Sequence, residues 1–465
     1  MKDNGLSRRN FLKLMGAGTV AAGATLAGCR APADDSANAG TLGEAPTDKM
    51  TYRLNHNTND KVSLLGYGCM RWPLRQKADG SGEEVDQEAV NDLVDYAIAH
   101  GVNYFDTAPP YVRGWSETAT GLALKRHPRE KFFIATKLSN QRDDPQLRSF
   151  EGSRALYERS LQNLQVDYID YYLLHGIGMG GMKAIMERFY DNGMLDFLHQ
   201  EREAGRIRNL GWSYHGDIEA FDFLLSQQDE GQAHWDFAMI QLNYLDWQHA
   251  SGWNTNAEYL FGELAKRDIP AVVMEPLLGG RLSRVSAPAL KLMKEMHPED
   301  SAAKWAFRYA GTPEGVLTVL SGMVYQEHLQ ENIRTYAPLE PLNQEEYALL
   351  EEVTRLMLND EFVQCTECQY CMPCPYGLDI PGIFGHYNRI VSAGQRLKSS
   401  GDENYRAARR AFLVGYDRSV PKLRQADHCI GCDICQPNCP QKINITAEMR
   451  RIDQYAEQLK QNLNF

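Results

Sequence analysis

The sequence predicts a (β/α)8 barrel followed by a smaller, mainly helical, metal-binding module rich in cysteine. Three observations carry this expectation. From Lys61 onward the chain alternates short apolar runs with longer amphipathic stretches, eight times over. No Gly-rich dinucleotide turn follows an early strand, as a doubly wound open sheet, the rival arrangement, would require. Of ten cysteines, eight fall in two tight runs in the last 101 residues.

The strand candidates are residues 62–69, 103–107, 132–137, 167–175, 207–213, 237–243, 271–276 and 316–322. Each is nearly continuously apolar, as parallel strands covered by helices are. The segments between them return apolar residues every three or four positions, as in EGSRALYERSLQNLQV. Eight such units over about 275 residues match a (β/α)8 barrel in count and length. The expected organisation is a barrel over 51–337, a connecting helix over 338–364 and a metal module over 365–465.

A chain of 465 residues is long enough for two or three folded units. Its net charge of −12 is borne by the body of the chain, because the first 28 residues are basic. An acidic body repels phosphate backbones, so nucleic acid is not an expected partner.

The N-terminus reads as an address. Ser7-Arg8-Arg9-Asn10-Phe11-Leu12-Lys13 precedes a Gly- and Ala-rich apolar run from Leu14 to Gly28, too short for a stable spanning helix. Residues 1–28 resemble a twin-arginine export signal. The stretch Leu26-Ala27-Gly28-Cys29 resembles a lipobox, which implies a lipid on Cys29 and a membrane-held protein outside the cytoplasm; an ordinary cleavage region that contains Cys is the alternative. Residues 29–50 lack aromatics and periodicity and read as a tether. Twin-arginine export carries folded proteins, which suits metal centres inserted before export.

Barrel chemistry collects at the C-terminal ends of strands. Those ends carry Asp106, with Tyr111 in the next loop, then Lys137 and His175. Singly, each has an ordinary structural reading: a turn cap, ring packing, a solvated lysine, a satisfied imidazole. Together they suit carbonyl reduction. The alkoxide formed must be protonated, which a tyrosine can do. A nearby ammonium lowers the phenol pKa, a carboxylate fixes the ammonium, and a histidine orients the carbonyl.

These residues resemble the aldo/keto reductase family over about 51–335, and its Asp-Tyr-Lys-His tetrad falls on Asp106, Tyr111, Lys137 and His175. The chain is similar to the bacterial branch with a C-terminal ferredoxin-like domain. The resemblance implies a small carbonyl or alcohol substrate and an NAD(P)(H) site. Ser213 and Gln241 match the pair that holds the nicotinamide carboxamide, although Tyr214 replaces the partner Asn and Met274-Glu275-Pro276 lacks the stacking aromatic. Glu331 and Asn332 fall on adenine-contacting places. Gly322 and His328 replace the cations that grip a 2′-phosphate, which weakens any preference for NADP.

The first cysteine run is Cys365, Cys368, Cys371 and Cys374, at x2 spacing throughout. The second is Cys429, Cys432, Cys435 and Cys439, followed by Pro440. The second matches the bacterial ferredoxin pattern, which implies two [4Fe–4S] clusters and a crossed ligand set. One set would be Cys365, Cys368, Cys371 and Cys439; the other Cys429, Cys432, Cys435 and Cys374. Structural zinc and disulfides are the alternatives. Cys69 reads as a small core or pocket residue. The segment between the runs either covers the clusters or docks on the barrel.

The expected function is an exported oxidoreductase that interconverts a carbonyl and an alcohol and exchanges electrons with an outside carrier through its clusters. A non-catalytic electron-transfer lipoprotein with the barrel as scaffold is the alternative.

Overall fold

Eight parallel strands close on themselves: β1 (Leu65–Gly68), β2 (Tyr104–Asp106), β3 (Phe133–Leu138), β4 (Ile169–Ile177), β5 (Ile207–Tyr214), β6 (Phe237–Gln241), β7 (Ala271–Met274) and β8 (Val316–Ser321). Each pairs with its sequence neighbour, and β8 pairs with β1. An open sheet is thereby excluded. The computed structural model describes residues 44–465 apart from 142, 143, 251, 253, 360, 403 and 462–465. The expected signal peptide and Cys29 lie outside the described residues. Ala45–Phe465 forms one compact unit.

The period of two along the strands sorts side chains into two cores. Tyr104, Tyr171, Phe237, Met239 and Val272 fill the barrel interior. Their neighbours Phe105, Tyr172, Ala238, Ile240 and Val273 face the surrounding helices. Both faces are apolar, which is why the strands read as continuous runs.

The first strand candidate is divided. Asp60–Ser63 pairs antiparallel with Tyr52–Asn55, and only Leu65–Gly68 enters the barrel. This hairpin closes the N-terminal mouth through buried polar groups. Tyr171 donates to Asp60 at 3.0 Å, Asn55 to Asn209 at 2.9 Å, and Arg208 to Asp60 at 2.7 Å.

Helix starts follow capping chemistry. Asp86 accepts from Ala89 N–H before Gln87–Ala99, and Ser149 accepts from Gly152 N–H before Phe150–Leu164. Each such cap contributes about 1 kcal/mol. The helix Gln344–Leu358 opens with a full capping box of Asn343 and Glu346 and buries Leu350, Val353 and Met357 in the barrel's outer core.

Past it, the helices Ile380–Ser392, Tyr405–Ser419 and Ile445–Gln461 form a separate core around Ile383, Phe384, Phe412, Met449 and Ile452. Cysteines of both runs pack against this core. Between the runs, Ile380 and Phe384 line one cage, and the stretch 387–416 packs Tyr387, Phe412 and Tyr416 into this core. Among the described residues no helix is long and apolar enough to cross a membrane.

Candidate active site and cysteine cages

Strand register brings the four tetrad candidates together. Asp106 on β2 pairs with Ala135 on β3, and Lys137, two residues on, pairs with Leu173 on β4. His175 stands two residues past Leu173. An advance of two keeps the side chains on one face, so Asp106, Lys137 and His175 converge at the C-terminal mouth. All three are buried.

Lys137 Nζ donates to Asp106 Oδ1 at 2.6 Å and to the Thr107 carbonyl at 2.7 Å. The same ammonium lies 4.8 Å from the centroid of the Tyr111 ring. Tyr111 starts a short turn in which Val112 and Arg113 adopt φ of 50° and 57°. For a β-branched residue that is a strained conformation, of order 1–3 kcal/mol. The Tyr111 and His175 rings meet edge-on at 86°, with centroids 6.3 Å apart.

His175 is held on three sides. Its Nδ1 lies 2.6 Å from Ser139 Oγ, and its Nε2 lies 3.3 Å from the Tyr370 hydroxyl. The buried Arg188 guanidinium donates to the backbone carbonyls of His175 and Gly176 and, through Nε, to Asn140 Oδ1 at 3.0 Å.

The electrostatics correct one expectation. Burial pushes the Tyr111 phenol well above its usual value, and the Asp106 charge adds to that. Lys137 does not reverse it: the ammonium sits over the ring face, and two of its three N–H groups go to Asp106 and Thr107. Burial pushes Lys137 down and Asp106 up, while their mutual attraction opposes both shifts. Lys137 thus balances Asp106, and Tyr111 remains a neutral acid. Burial first, then the Lys137 charge, holds His175 well below its usual range, so the imidazole is neutral near pH 7.

The cysteines line two small cavities. One is lined by Cys365, Cys368, Cys371 and Cys439. The other is lined by Cys374, Cys429, Cys432 and Cys435. This is the crossed grouping that the ferredoxin pattern implies. Positive φ at Glu367, Gln369, Gly431 and Asp433 alternates with ordinary backbone in both loops, a geometry that turns successive amides toward one centre. Among the described residues no three His, Cys, Asp or Glu side chains converge on a single-ion site. The cysteines surround a volume rather than a point, which fits a multi-iron cluster better than a lone zinc.

Residues 64–355 match the family model for the aldo/keto reductase family. The chain belongs to the aldo/keto reductase family. Residues 364–445 match a 4Fe-4S dicluster domain. Among curated proteins, this reductase is 26% identical over 320 residues to L-galactose dehydrogenase of Arabidopsis thaliana, covering 65% of this chain and 93% of that protein. It is 25% identical over 307 residues to the uncharacterized oxidoreductase YqkF of Bacillus subtilis, covering 63% and 93%. Among solved structures it is similar to the holo form of aldo-keto reductase AKR11C1 from Bacillus halodurans, with 25% identity and a TM-score of 0.52, over 65% of this chain and 96% of that one. The protein is an oxidoreductase of this family that carries a 4Fe–4S-binding domain.

The cysteine module of this reductase sits on the barrel mouth. Arg71 donates to the Thr366 carbonyl at 2.8 Å, and Arg281 donates to Gln364. Gly279 lies so close to the module that a Cβ there would stand 2.3 Å from Thr366 Cα; its φ of 67° also calls for glycine. Gln441 Nε2 is 3.3 Å from Gln241 Oε1, and Gln241 also donates to Asp246 at 2.5 Å. Ser213 Oγ is buried and accepts from Gly176 N–H at 2.9 Å. Both nicotinamide-side candidates are thus engaged within the protein, Gln241 by the module itself. Gly322 is exposed beside Arg71; further along, Glu331 accepts from Ser301, and Asn332 donates to Ser321 at 3.0 Å. Tyr214, the residue in the Asn place, is buried with its hydroxyl on the Gly216 carbonyl. As seated, the module holds Gln241 through Gln441, while Ser213 is held by the barrel's own Gly176 N–H.

Cys69 is buried in the barrel's outer core and touches no cage. Four contributors were not picked from sequence: Tyr370, Gln441, Arg188 and Ser139. Tyr370 carries a faint signal, an aromatic between Cys368 and Cys371. The other three become functional only through tertiary contacts.

Proposed function

We propose that this protein is an exported carbonyl/alcohol oxidoreductase whose barrel tetrad exchanges electrons through two [4Fe–4S] clusters in the C-terminal module. The observation that carries this reading is the meeting of the Lys137–Asp106 pair, Tyr111 and His175 at one mouth, with a cysteine-cage loop reaching the same point through Tyr370. Tyr111 gives its phenol proton to the substrate oxygen during reduction and takes it back during oxidation. The neutral His175 hydrogen-bonds that oxygen and sets its orientation, with Ser139 and Arg188 holding the ring. Lys137 keeps Asp106 neutralised beneath Tyr111. Substrate must share His175 with the Tyr370 hydroxyl or displace it.

Cys365, Cys368, Cys371 and Cys439 would hold one cluster, and Cys374, Cys429, Cys432 and Cys435 the other. A four-iron cluster, when bound, passes one electron at a time. Carbonyl and alcohol differ by two electrons and two protons; two such centres would match the electron count, Tyr111 would supply the proton on oxygen, and water would supply the proton on carbon. The Gln441 contact on Gln241 brings the module to the same mouth. Residues 1–28 serve as a twin-arginine signal and Cys29 as a lipid anchor in this reading. Support for that lies in the sequence alone.

A second reading keeps the barrel as a scaffold for an electron-transfer lipoprotein; the occupied mouth favours it. Anaerobic purification, mass analysis for bound nucleotide, and turnover of a panel of aldehydes and ketones by wild type and Tyr111→Phe separate the two. Turnover that depends on Tyr111 without bound nucleotide supports the first reading. Absence of any turnover with intact clusters supports the second.

A further inference from the structure

The two cysteine runs repeat one backbone conformation. Two residues after the first Cys of each run, Glu367 and Gly431 adopt φ of 54° and 75°. One residue after the second Cys, Gln369 and Asp433 adopt 66° and 57°. Thr366 and Tyr370 of the first run therefore occupy the places of Ile430 and Ile434 in the second.

In the first run these two places are the ones that meet the barrel. Thr366 takes the Arg71 hydrogen bond and packs on Gly279, and Tyr370 reaches His175. In the second run the same places face solvent. Ile430 is 61% exposed and Ile434 is 56% exposed. Tyr376, which lines the second cage with Ile430, is 51% exposed, and Leu423 is 79% exposed. Cys432 is exposed as well, so the second cage lies within reach of a partner. Large apolar side chains gathered on one rim mark a contact surface rather than scattered exposure.

The charge around this rim says what kind of surface fits it. Arg424 donates to the Gly377 carbonyl at 3.1 Å, beside Tyr376, and Lys422 is its exposed neighbour. Arg450 is exposed, with Nη2 3.0 Å from where a Cβ on Gly431 would stand. Asp417, 3.9 Å from Lys422 Nζ, Asp427 and Asp433 are acids nearby; Asp433 is occupied by the Thr446 hydroxyl, and the Lys422–Asp417 pair is exposed and loose. Residues 365–465 hold thirteen Lys and Arg against ten Asp and Glu, in a chain whose net charge is −12. The module is a basic end on an acidic molecule.

We propose that the rim of the second cage, formed by Tyr376, Leu423, Ile430 and Ile434 with Lys422, Arg424 and Arg450, is the docking surface for a small acidic one-electron carrier protein. The repeat uses one loop geometry twice, once against its own barrel and once against an outside carrier. The carrier loses one electron and the centre in the second cage gains it, with no bond made or broken. This rests on the reading that the cages hold iron–sulfur clusters, and the test below separates the two.

The experiment follows cluster bleaching by stopped flow in the cluster-loaded protein, with two reductants. One is reduced methyl viologen, a small cation that needs no docking surface. The other is a reduced acidic ferredoxin. The acidic carrier should reduce wild type quickly, and high salt should slow it. Ile430→Ser with Ile434→Ser, and separately Lys422→Glu with Arg424→Glu, should slow it about tenfold or more. Viologen should reduce all forms alike. If the loop variant loses iron, Leu423→Ser, outside the cysteine runs, takes its place with the same expected loss. Equal rates with the acidic carrier in all forms would overturn the proposal, as would failure of that carrier to reduce a wild type that viologen reduces. Failure of viologen itself would sink the cluster reading and this proposal with it.

Discussion

The hydroxyl of Tyr370, a residue held between two cysteines of the first run, lies 3.3 Å from Nε2 of His175 at the end of β4. The two residues are 195 positions apart in sequence. A single side chain thus joins the wall of a cysteine cage to the barrel's chemical centre, with no intervening domain linker.

Replacing Tyr370 with Phe tests what that contact does. The variant loses one hydroxyl and keeps the ring, so iron content and folding should be unchanged. A neutral hydrogen bond of this kind is worth about 1 kcal/mol, so turnover should change several-fold at most. A loss as large as that of Tyr111→Phe would make Tyr370 part of the proton-transfer unit.

Lys137 behaves as the counter-charge of a buried carboxylate, with Nζ 2.6 Å from Asp106 Oδ1. Lys137→Met should therefore cost about 3–5 kcal/mol of stability, because Asp106 is left buried and unpaired. Pairing it with Asp106→Leu should recover much of that stability while turnover stays low. Thermal unfolding of the two variants checks this; equal melting temperatures would contradict it.

The crossed cages make a prediction for single cysteines. Cys439→Ser should empty the first cage and Cys374→Ser the second, each taking iron from about eight to about four per chain. Iron analysis with electron paramagnetic resonance distinguishes the two. Loss of the same signal from both variants would contradict the grouping.

Acid should destabilise the module through His386. Its ring is buried against Tyr416 and bonded to the Phe412 carbonyl at 3.0 Å, and burial pushes it down to about 4. Unfolded, it would protonate near 6.5. The folded form binds its proton less tightly, so stability is full above about pH 6.5 and falls as pH drops toward about 4, by on the order of 3 kcal/mol. Melting scans across that range should show a smaller loss in His386→Phe. An identical loss would place the acid sensitivity elsewhere.

Export is checked in cells. Arg8→Lys with Arg9→Lys should retain the precursor in the cytoplasm, and Cys29→Ala should release the mature body from membranes. Wild-type protein recovered as soluble cytosol would contradict the address.

The barrel was legible because both faces of each strand are apolar and the intervening segments keep a helical period. Asp106, Lys137 and His175 were legible because they sit at strand ends, and Tyr111 because it lies in the loop that follows the first of them. The state of Tyr111 was not, since proximity to Lys137 in sequence logic does not say that the ammonium lies over the ring and is spent on Asp106. The seating of the module was equally hidden, since no local motif marks the close approach of Thr366 to Gly279. Tyr370 and Gln441 carry no local mark of the partners they meet.

The central claim is that the tetrad draws its electrons from the module. The direct measurement mixes dithionite-reduced, nucleotide-free protein with aldehydes and ketones under anaerobic conditions and follows visible absorption. The account predicts that an active carbonyl reoxidises the clusters and yields alcohol at two electrons each, and that Tyr111→Phe slows this by about 10²–10⁴-fold. Clusters that stay reduced with every carbonyl, while added NADH or NADPH restores alcohol formation, would contradict it.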